Sequence, residues 1–351
     1  MKIGFVLNSF NTESCGTSII LMNKACQMGH SVYALDVEDF VFSNRSYMEV
    51  YSYKIKKCKE LSSPQDCLDQ LKDLNLTKRK ISLRELDVLF LRNNPTEENA
   101  TRYWAEHAGI AFGRLAQQEG ILVLNDAYGL SEAFIDKLYF EELPKCIKPA
   151  SIITRYKNEI LEFWNKHDKK MILKPLQGSG GKNVYLINKK EKNINQIIDA
   201  ISEQGYIIAQ EYLPEVEDSG DIRVIMMNGK LLEENGEKAL IGRINKNKEE
   251  FRSNFKVGAT ATNSQLTPAI EEIIKLTSPR LIRDGLFFVG LDIVKDKLIE
   301  INVLSPGGLG RFKDIGLPDF AKTVITAIER KLYYKKKYNG RFSNRELATM
   351  D

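Results

Sequence analysis

The stretch from residue 286 to residue 310, LFFVGLDIVKDKLIEINVLSPGGLG, constrains the fold of this chain more than any other. Two apolar runs flank a polar tripeptide at 295–297, a pattern that predicts a tight antiparallel hairpin. If this tripeptide forms the loop, Asp292 lies opposite Glu300. Asn302 then follows on the same face, because strand side chains alternate.

Three oxygen-bearing side chains therefore converge inside strands that are otherwise apolar. Two carboxylates and an amide oxygen at one place repel one another unless a cation joins them. All three are hard oxygen ligands, the type that Mg²⁺ takes while leaving room for phosphate oxygens. The hairpin alone leaves two interpretations open, a magnesium site and a half-exposed hairpin whose carboxylates face water.

The bulk composition argues against several classes of protein. With 351 residues, of which 43% are hydrophobic and 28% charged, the chain has enough sequence for two or three globular domains. A net charge of +4 gives no reason to expect nucleic acid or a membrane surface as a partner. Five scattered cysteines without CxxC spacing, an N-terminus that turns polar early and no long apolar run together predict a cytoplasmic protein.

The first third of the chain predicts a βαβ-type unit. The predicted strands cover 2–8, 31–36, 87–92 and 120–124, and the predicted helices cover 16–28 and 97–118. The connection after the first strand lacks GxGxxG, so a dinucleotide-binding fingerprint is absent. Residues 42–84 are polar and lysine-rich and predict a surface elaboration. Arg92 ends an apolar strand, where it either meets solvent or binds a carboxylate bidentately.

A second region begins near Asn125, where Ser131 is expected to N-cap a helix that carries Lys137. A strand over 171–175 then leads into KPLQGSGGKNV. Its small residues, Gly178, Ser179, Gly180 and Gly181, let the backbone turn tightly and direct N–H groups at an anion. The loop is either a glycine-rich hairpin that covers phosphates or merely a mobile turn. It does not match a Walker A loop.

The last third predicts a meander over 220–245 with a tight turn at Asn228 and Gly229, a helix over 268–284 and a final helix over 319–338. The basic stretch 244–260 is either a solvated insertion or an active-site lid. After the hairpin come Ser305 and three closely spaced glycines, which form either a flexible turn or an anion nest for a substrate carboxylate.

Taken together, the two lysines Lys137 and Lys174, the glycine loop, the segment QEYLP and the late order of aspartate, glutamate and asparagine resemble the ATP-grasp superfamily. The chain is also similar to bacterial glutathione synthetases almost from end to end, from KIGFVLN through DVLFLR and ILKPLQGSGG to EINVLSP. The resemblance implies an α/β fold of ATP-grasp architecture with an N-terminal Rossmann-like domain. The implied divisions are that N-terminal domain over 1–128, a small lobe over 129–209, a C-terminal lobe with the metal hairpin and lid over 210–338, and a basic, polar tail over 339–351.

The resemblance also implies a role for individual residues. Lys137 and Lys174 would hold the phosphates of ATP, with Gly178, Ser179, Gly180 and Gly181 closing over them. Gln210, Glu211, Tyr212 and Leu213 would form the hinge, where backbone groups of Glu211 and Leu213 contact the adenine. Asp221 would lie near the ribose and the metals, Arg223 would reach phosphate, and Arg243 would steady the transferred phosphoryl group. Asp292, Glu300 and Asn302 would carry two Mg²⁺ (or Mn²⁺) ions. Substrate contacts would come from Arg92, from Arg252 and Asn254 on the lid, and from Ser305, Gly307 and Gly308.

The implied activity is an ATP-dependent carboxylate–amine ligase that joins γ-glutamylcysteine to glycine through an acyl phosphate. The implied partners are small molecules, with no nucleic acid and no membrane, and the enzyme is expected to be a homo-oligomer. Two departures bear on the substrates. Bacterial glutathione synthetases commonly read NVTSPT where this chain reads NVLSPGG, and the lid reads KVGAT in place of a more glycine-rich run. A ligase for another acyl donor or amine therefore stays open, as does a non-catalytic nucleotide-binding module.

Overall fold

The computed structural model describes residues 1–43, 47–56, 63–98, 102–178, 181–246 and 252–351. The N-terminal region contains β1 (Lys2–Leu7), α1 (Thr17–Gln27), β2 (Ser31–Asp36), β3 (Phe40–Phe42), β4 (Met48–Lys54), α2 (Pro64–Leu71), β5 (Arg79–Ser82), β6 (Val88–Leu91), α3 (Ala108–Gln118) and β7 (Leu122–Leu124). Its sheet has the order β3-β4-β2-β1-β6-β7, with β5 beside β4. Strand β1 runs parallel to β2 and β6, which confirms the predicted βαβ unit. These strands are apolar throughout because both faces of a parallel sheet are covered.

The prediction of a surface elaboration over 42–84 is wrong for the described part of that stretch. Strand β4 pairs antiparallel with β2 and so extends the main sheet. Met48 and Val50 on β4 and Cys67 on α2 are fully buried. The stretch looked like surface because β4 alternates, burying every second side chain while its other residues are polar and more exposed.

Two helix starts also differ from prediction. The helix expected over 97–118 begins only at Ala108, because the side chains of Glu98 and Arg102 bind Asn8 and each other and hold the chain in short turns. Ser131 is not an N-cap. It lies within a helix that Asp126 caps by accepting from the Gly129 N–H at 2.9 Å, and its hydroxyl donates back to Ala127 O.

The small lobe contains α4 (Ala127–Glu132), α5 (Asp136–Glu141), β8 (Ser151–Thr154), α6 (Lys157–Lys166), β9 (Met171–Pro175), β10 (Tyr185–Ile187), α7 (Ile194–Ser202) and β11 (Ile207–Glu211). The strands form an antiparallel sheet in the order β10-β9-β11-β8. Isoleucines of α6 and α7, including Ile160 and Ile198, pack on this sheet and form a core of their own with Leu173. The lobe therefore forms one wall of a cleft with its own hydrophobic support.

The C-terminal lobe contains α8 (Val216–Ser219), β12 (Asp221–Met227), β13 (Lys230–Leu231), β14 (Glu233–Glu234), β15 (Glu237–Lys238), β16 (Leu240–Ile244), β17 (Thr260–Thr262), α9 (Pro268–Arg283), β18 (Phe288–Val294), β19 (Lys297–Asn302), α10 (Ala321–Lys337) and α11 (Asn344–Thr349). Its main sheet has the order β17-β16-β12-β18-β19, with β13 beside β12. The turn between β12 and β13 is confirmed, since Asn228 and Gly229 have φ values of +56° and +73°.

The predicted hairpin is β18 and β19, and Asp292 does lie opposite Glu300. The loop itself is shorter than expected, because Val294 already pairs with Lys297. A bulge between Asp292 and Ile293 adds the missing residue and restores the register. The two carboxylates thus meet on one face, as predicted, through a two-residue turn and a bulge rather than a three-residue loop.

Residues 339–351 are not a solvated tail. Helix α11 begins at a capping box on Ser343 and buries Leu347 and Ala348 in the core. The Asn344 side chain bonds both the N–H and the carbonyl oxygen of Val123, at 2.8 and 2.9 Å, and so covers the edge strand β7. In the described part of the chain, no helix combines the length and the apolar character that crossing a bilayer requires.

Candidate active site

A cavity lies between the small lobe and the C-terminal lobe. Its lining includes Lys137, Lys174, Gly178, Gly181, the hinge residues Gln210, Glu211, Tyr212 and Leu213, and Asp221, Arg243, Arg252, Asn254, Asp292 and Glu300. Four strands supply the charged members from the C-terminal lobe, and their register explains the arrangement. Asp221 on β12 pairs with Arg243 on β16, and Arg223 pairs with Asp292 on β18. Cross-strand neighbours of opposite charge attract, so the sheet itself assembles the cluster.

The cluster is a buried network of two arginines and two aspartates. Arg243 grips Asp221 with two bonds of 2.6 Å and reaches Asp292 Oδ1 at 3.0 Å. Arg223 also binds Asp292 bidentately, with Nη2 at 3.0 Å from Oδ2. Burial by itself raises the pKa of Asp292, but the charges of Arg223 and Arg243 outweigh it and hold that pKa at about 2. Asp292 is therefore a carboxylate whose oxygens two guanidinium groups already occupy.

The three residues predicted to bind metal lie together at this network. Glu300 lines the cavity beside Asp292, and Asn302 Nδ2 lies 3.4 Å from Asp292 Oδ2. If the Asn302 side-chain amide is turned by 180°, its oxygen takes the place of Nδ2. The oxygen and nitrogen of such an amide are assigned from their hydrogen-bond partners. No group of three His, Cys, Asp or Glu side chains suited to a metal occurs among the described residues. A metal here would thus be held by two carboxylates and an amide, and its binding stays a prediction.

Lys137 and the glycine loop are joined directly. Lys137 Nζ donates to Pro175 O at 2.8 Å and to Gly178 O at 3.3 Å, and its side chain is buried. The loop connects the antiparallel strands β9 and β10, which agrees with a glycine-rich hairpin. Gly178 and Gly181 have positive φ values, which glycine adopts without strain. Ser179 and Gly180, the other two predicted loop residues, lie outside the described residues.

The lid contacts this loop. Arg252 Nη1 donates to Gly181 O at 2.8 Å, and the Asn254 side chain caps a short turn by accepting from Val257 N. Phe255 in that turn lies between two arginines, 5.8 Å from Arg243 and 5.3 Å from Arg311. Residues 247–251 of the predicted lid are outside the described residues. The described part of the lid bridges the glycine loop and the C-terminal lobe.

The hinge differs in one detail from expectation. The Glu211 N–H donates to Ala150 O at 2.8 Å, so a backbone contact from Glu211 to adenine would come from its carbonyl oxygen. Tyr212 is anchored by its hydroxyl, which donates to Glu217 at 2.6 Å, and Lys170 lies 4.0 Å from its ring centre. Gln210 is buried at the end of β11. The hinge is therefore held from both lobes, by Ala150 and Lys170 of the small lobe and by Glu217 of the C-terminal lobe.

Arg92 is not a solvated strand end, and its contact with a substrate carboxylate stays a prediction. Its side chain is buried, with Nη2 donating to Pro306 O at 2.9 Å and Nε to Ser18 Oγ at 3.3 Å. Burial lowers the pKa of Arg92 to about 10. The loop after β19 covers the end of β6 and takes the arginine as a partner. Arg92 thus positions the backbone of this loop.

A second cavity adjoins the first and shares Asp292, Glu300, Arg243, Asn254, Gly178 and Gly181 with it. Ser305, Gly307 and Gly308, which were predicted to contact substrate, line it from the C-terminal lobe. Arg223, predicted to reach phosphate, and Asn302, predicted to bind metal, line it too, and all these roles stay predictions. Sequence reasoning missed five further lining residues: Asn94, Thr96, Glu97, Phe255 and Leu304. The first three follow the carboxyl end of the parallel strand β6, the edge at which α/β sheets bind ligands, and that position was the available signal.

Several solved structures share this architecture. D-cycloserine synthetase DcsG superposes with a TM-score of 0.58 over 94% of this chain and 99% of its own, at 11% sequence identity. The macrocyclase MdnC from Microcystis aeruginosa gives 0.59 over 93% and 99%, also at 11% identity, and the ATP-grasp ligase PsnB gives 0.56 over 93% and 98%, at 14% identity. These likenesses show the fold, which this chain shares with an ATP-grasp ligase.

The family follows from the sequence matches. The model of the prokaryotic glutathione synthetase N-terminal domain matches residues 1–130, and that of its ATP-grasp domain matches residues 136–316. The glutathione synthetase of Buchnera aphidicola subsp. Schizaphis graminum is 30% identical over 95% of this chain and 98% of its own length. The glutathione synthetase of Gloeobacter violaceus is 30% identical over 88% and 90%. This chain belongs to the prokaryotic glutathione synthetase family and is an ATP-using ligase, which confirms the resemblance and the predicted fold class.

Proposed function

We propose that this enzyme joins γ-glutamylcysteine to glycine, using ATP and releasing ADP and phosphate. The observation that carries the proposal is the pair of adjoining cavities that share Asp292, Glu300 and Arg243. A nucleotide in the cavity between the lobes directs its terminal phosphate at this shared boundary. An acyl donor in the second cavity brings its carboxylate to the same place, so the two reacting groups meet there.

The nucleotide side of the proposal rests on the small lobe and its edge. Lys137 and Lys174 supply positive charge for the phosphates, and the loop over Gly178, Ser179, Gly180 and Gly181 covers them. The adenine lies against the hinge over residues 210–213. Lys137 is held in place by its bonds to Pro175 O and Gly178 O, so it needs little rearrangement to donate to a phosphate oxygen.

Mg²⁺ (or Mn²⁺) fits the donor set of Asp292, Glu300 and Asn302, since hard oxygen ligands on one face of a hairpin suit such an ion. When bound, the ions would neutralise charge on the phosphates of ATP. The chain's own part is an exchange of partners. Arg223 and Arg243 turn from Asp292 toward phosphate oxygens, and the Asp292 carboxylate is thereby released.

The chemistry requires no protein nucleophile. A carboxylate is a poor electrophile, so the cysteine carboxylate attacks the terminal phosphorus and becomes an acyl phosphate as ADP leaves. The glycine amine then attacks the acyl carbon, and phosphate departs from the tetrahedral intermediate. Arg243 and Arg223 stabilise the charge of the transferred phosphoryl group, while Ser305, Gly307 and Gly308 offer hydroxyl and N–H groups to a substrate carboxylate. Arg252 and Asn254 on the lid help to exclude water.

The second candidate is an ATP-grasp ligase for another carboxylate and amine. The observation that favours it is the sequence NVLSPGG after the hairpin, which places glycines in the lining of the second cavity. ADP release measured across a panel of acyl donors and amines, with product masses, separates the two. We expect the highest kcat/KM for γ-glutamylcysteine with glycine. A higher value for a different pair overturns the glutathione assignment and keeps the ligase assignment.

Two further expectations belong to the proposal. The enzyme works in the cytoplasm as a homo-oligomer with small molecules as its partners. Light scattering of the purified protein tests the oligomeric state, and a monomer at assay concentration contradicts the expected homo-oligomer.

A further inference from the structure

The N-terminal region reaches the second cavity through one short turn. Of the three lining residues that it supplies, Asn94, Thr96 and Glu97, the last carries a charge. The turn is held firmly before any ligand is present. Asn94 Oδ1 accepts from the Thr96 N–H at 3.2 Å and from its hydroxyl at 2.8 Å, and the Asn94 backbone bonds the Asn8 side chain at 2.7 and 2.8 Å. Glu97 therefore presents a negative charge from a fixed support.

The same cavity is also lined by Arg223 and by the loop containing Gly307 and Gly308, and these groups suit an anion. Glu13 lies close enough to Glu97 for their charges to repel, and the pKa of Glu13 is raised, first by its burial. A cation that enters beside Glu97 therefore meets a second carboxylate nearby. A ligand with a positive and a negative group at one end matches this cavity.

The position of Glu97 indicates which substrate group lies beside it. Asp292, Glu300 and Arg243 line both cavities and mark the place of reaction, whereas Glu97 lines the second cavity alone. The accepting amine must be neutral to attack and must lie at the place of reaction. A permanent ammonium group held elsewhere in the cavity belongs to the acyl donor. In γ-glutamylcysteine, the α-ammonium group of the glutamyl residue is at the end remote from the reacting carboxylate.

We propose that Glu97 binds the α-ammonium group of the acyl donor and so selects donors that carry a free amino group at their remote end. This inference rests on the proposed function and adds the residue that reads the donor. Glu97 acts on specificity and binding. The phosphoryl transfer and the amine attack are assigned to the shared boundary of the cavities, and Glu97 is not among the residues that line both.

The test compares two donors in two variants. γ-Glutamylcysteine and its des-amino analogue, glutarylcysteine, differ only in the ammonium group. We expect Glu97→Gln to raise the KM for γ-glutamylcysteine by about 10- to 100-fold, the value of a charged hydrogen bond, with the KM for ATP nearly unchanged. The KM for glutarylcysteine should be the same in wild-type enzyme and in Glu97→Gln, since that donor has nothing for Glu97 to bind.

Glu98→Gln is the matched control. Glu98 is the adjacent carboxylate, and it is engaged by Arg102 at 3.1 Å and by Asn8 at 2.6 Å. Its loss can disturb the turn, so both KM values can change, but their ratio should stay at the wild-type value. Equal effects of Glu97→Gln on both donors, or no effect on either, overturn the inference.

Failure of the proposed function gives a different result. If wild-type enzyme forms no product from γ-glutamylcysteine and glycine, the preferred acyl donor found in the panel and its own des-amino analogue replace the pair. Glu97→Gln then still abolishes the preference for the amino-bearing donor if the inference is correct. An unchanged preference overturns it.

Discussion

The nucleotide half and the substrate half of the cleft are built in different ways. The cavity proposed for the nucleotide has apolar side chains in its walls, including Ile172, Val184 and Ile299, and Lys137 there donates to neutral carbonyl oxygens. It shares Arg243, Asp292 and Glu300 with the substrate cavity. The substrate cavity collects residues from the N-terminal region, the lid and the loop after β19. Its cation Arg223 is bound to the carboxylate of Asp292 and to Gly307 O at 2.9 Å.

The two halves therefore bind their ligands in different ways on our proposal. In one half the protein contacts are already formed, and in the other the arginines exchange one partner for another. The nucleotide half can accept its ligand with its contacts largely in place. On our proposal, ligands in the other half replace the ion pairs that join Arg223 and Arg243 to Asp292. A buried pair costs a great deal to break from one side only, so each step there depends on a new partner that arrives at the same time. Charge exchange thus favours the simultaneous presence of both substrates.

The largest expected effect tests this contrast in stability. Arg243→Met leaves the buried carboxylates of Asp221 and Asp292 without one shared partner, and we expect a loss of about 3–5 kcal/mol. Lys137→Met removes a cation that donates to the backbone carbonyl oxygens of Pro175 and Gly178, and we expect a loss of about 1–3 kcal/mol. Urea unfolding of the ligand-free protein measures both. Equal losses would remove the distinction between the two halves.

A second prediction concerns catalysis at the boundary. Glu300→Gln keeps the shape of the side chain and removes its charge, and we expect turnover to fall by roughly 10²-fold or more. Asp296→Asn is the matched control, because Asp296 lies exposed in the turn of the same hairpin. Near-normal turnover of Glu300→Gln with Mg²⁺ or Mn²⁺ would contradict the metal assignment. A similar loss in Asp296→Asn would attribute the effect to the fold of the hairpin.

The nucleotide half was also the more predictable from sequence. Lys137, Lys174 and the glycine loop are local motifs, and the register of Asp292 with Glu300 follows from strand alternation and a short turn. The substrate half depends on contacts between distant segments. Arg92 received its partner from Pro306, more than two hundred positions later, and nothing near Arg92 in the sequence specifies that partner.

The same limit explains the other omissions. Glu97 enters the cavity because a turn is tied to Asn8, and Phe255 because the lid lies against two arginines. The pairing of Arg223 with Asp292 joins strands that are neighbours in the sheet but separated by five strands and a helix in sequence. Local patterns identify strands and loops, whereas tertiary packing decides which of their polar residues meet.

A third prediction concerns the loop after β19 in the substrate half, which contains Gly307 and Gly308. Gly308 has a φ value of +107°, and a Cβ atom there would lie 3.9 Å from Arg223 and from Phe255. We expect the larger side chain of Gly308→Val to raise the KM of the carboxylate-bearing substrate about 10-fold, and the KM of ATP much less, since ATP lies in the other half. Gly316→Val is the control, because Gly316 has a φ value of +79° but no neighbour within 4 Å of its Cβ position. It carries comparable backbone strain outside the cavity. A change confined to the KM of ATP would place this loop in the wrong half.

The last prediction concerns the lid, which touches both halves. Arg252 bonds Gly181 of the nucleotide loop, and Phe255 lines the substrate cavity. Trypsin should cut the ligand-free protein within 244–260, where the sequence offers Lys246, Lys248, Arg252 and Lys256. One or two hydrogen bonds gained on closure stabilise the lid by about 1 kcal/mol each, so we expect cleavage to slow by roughly 5- to 30-fold with a non-hydrolysable ATP analogue, Mg²⁺ and the acyl donor together. Because the halves differ, either ligand alone should protect less than both.

Lys256→Gln gives the matched control, since it removes one cleavage site without removing the bond to Gly181. Full protection by the nucleotide analogue alone would mean that the lid belongs to the nucleotide half, and the exchange of partners would then not depend on lid closure.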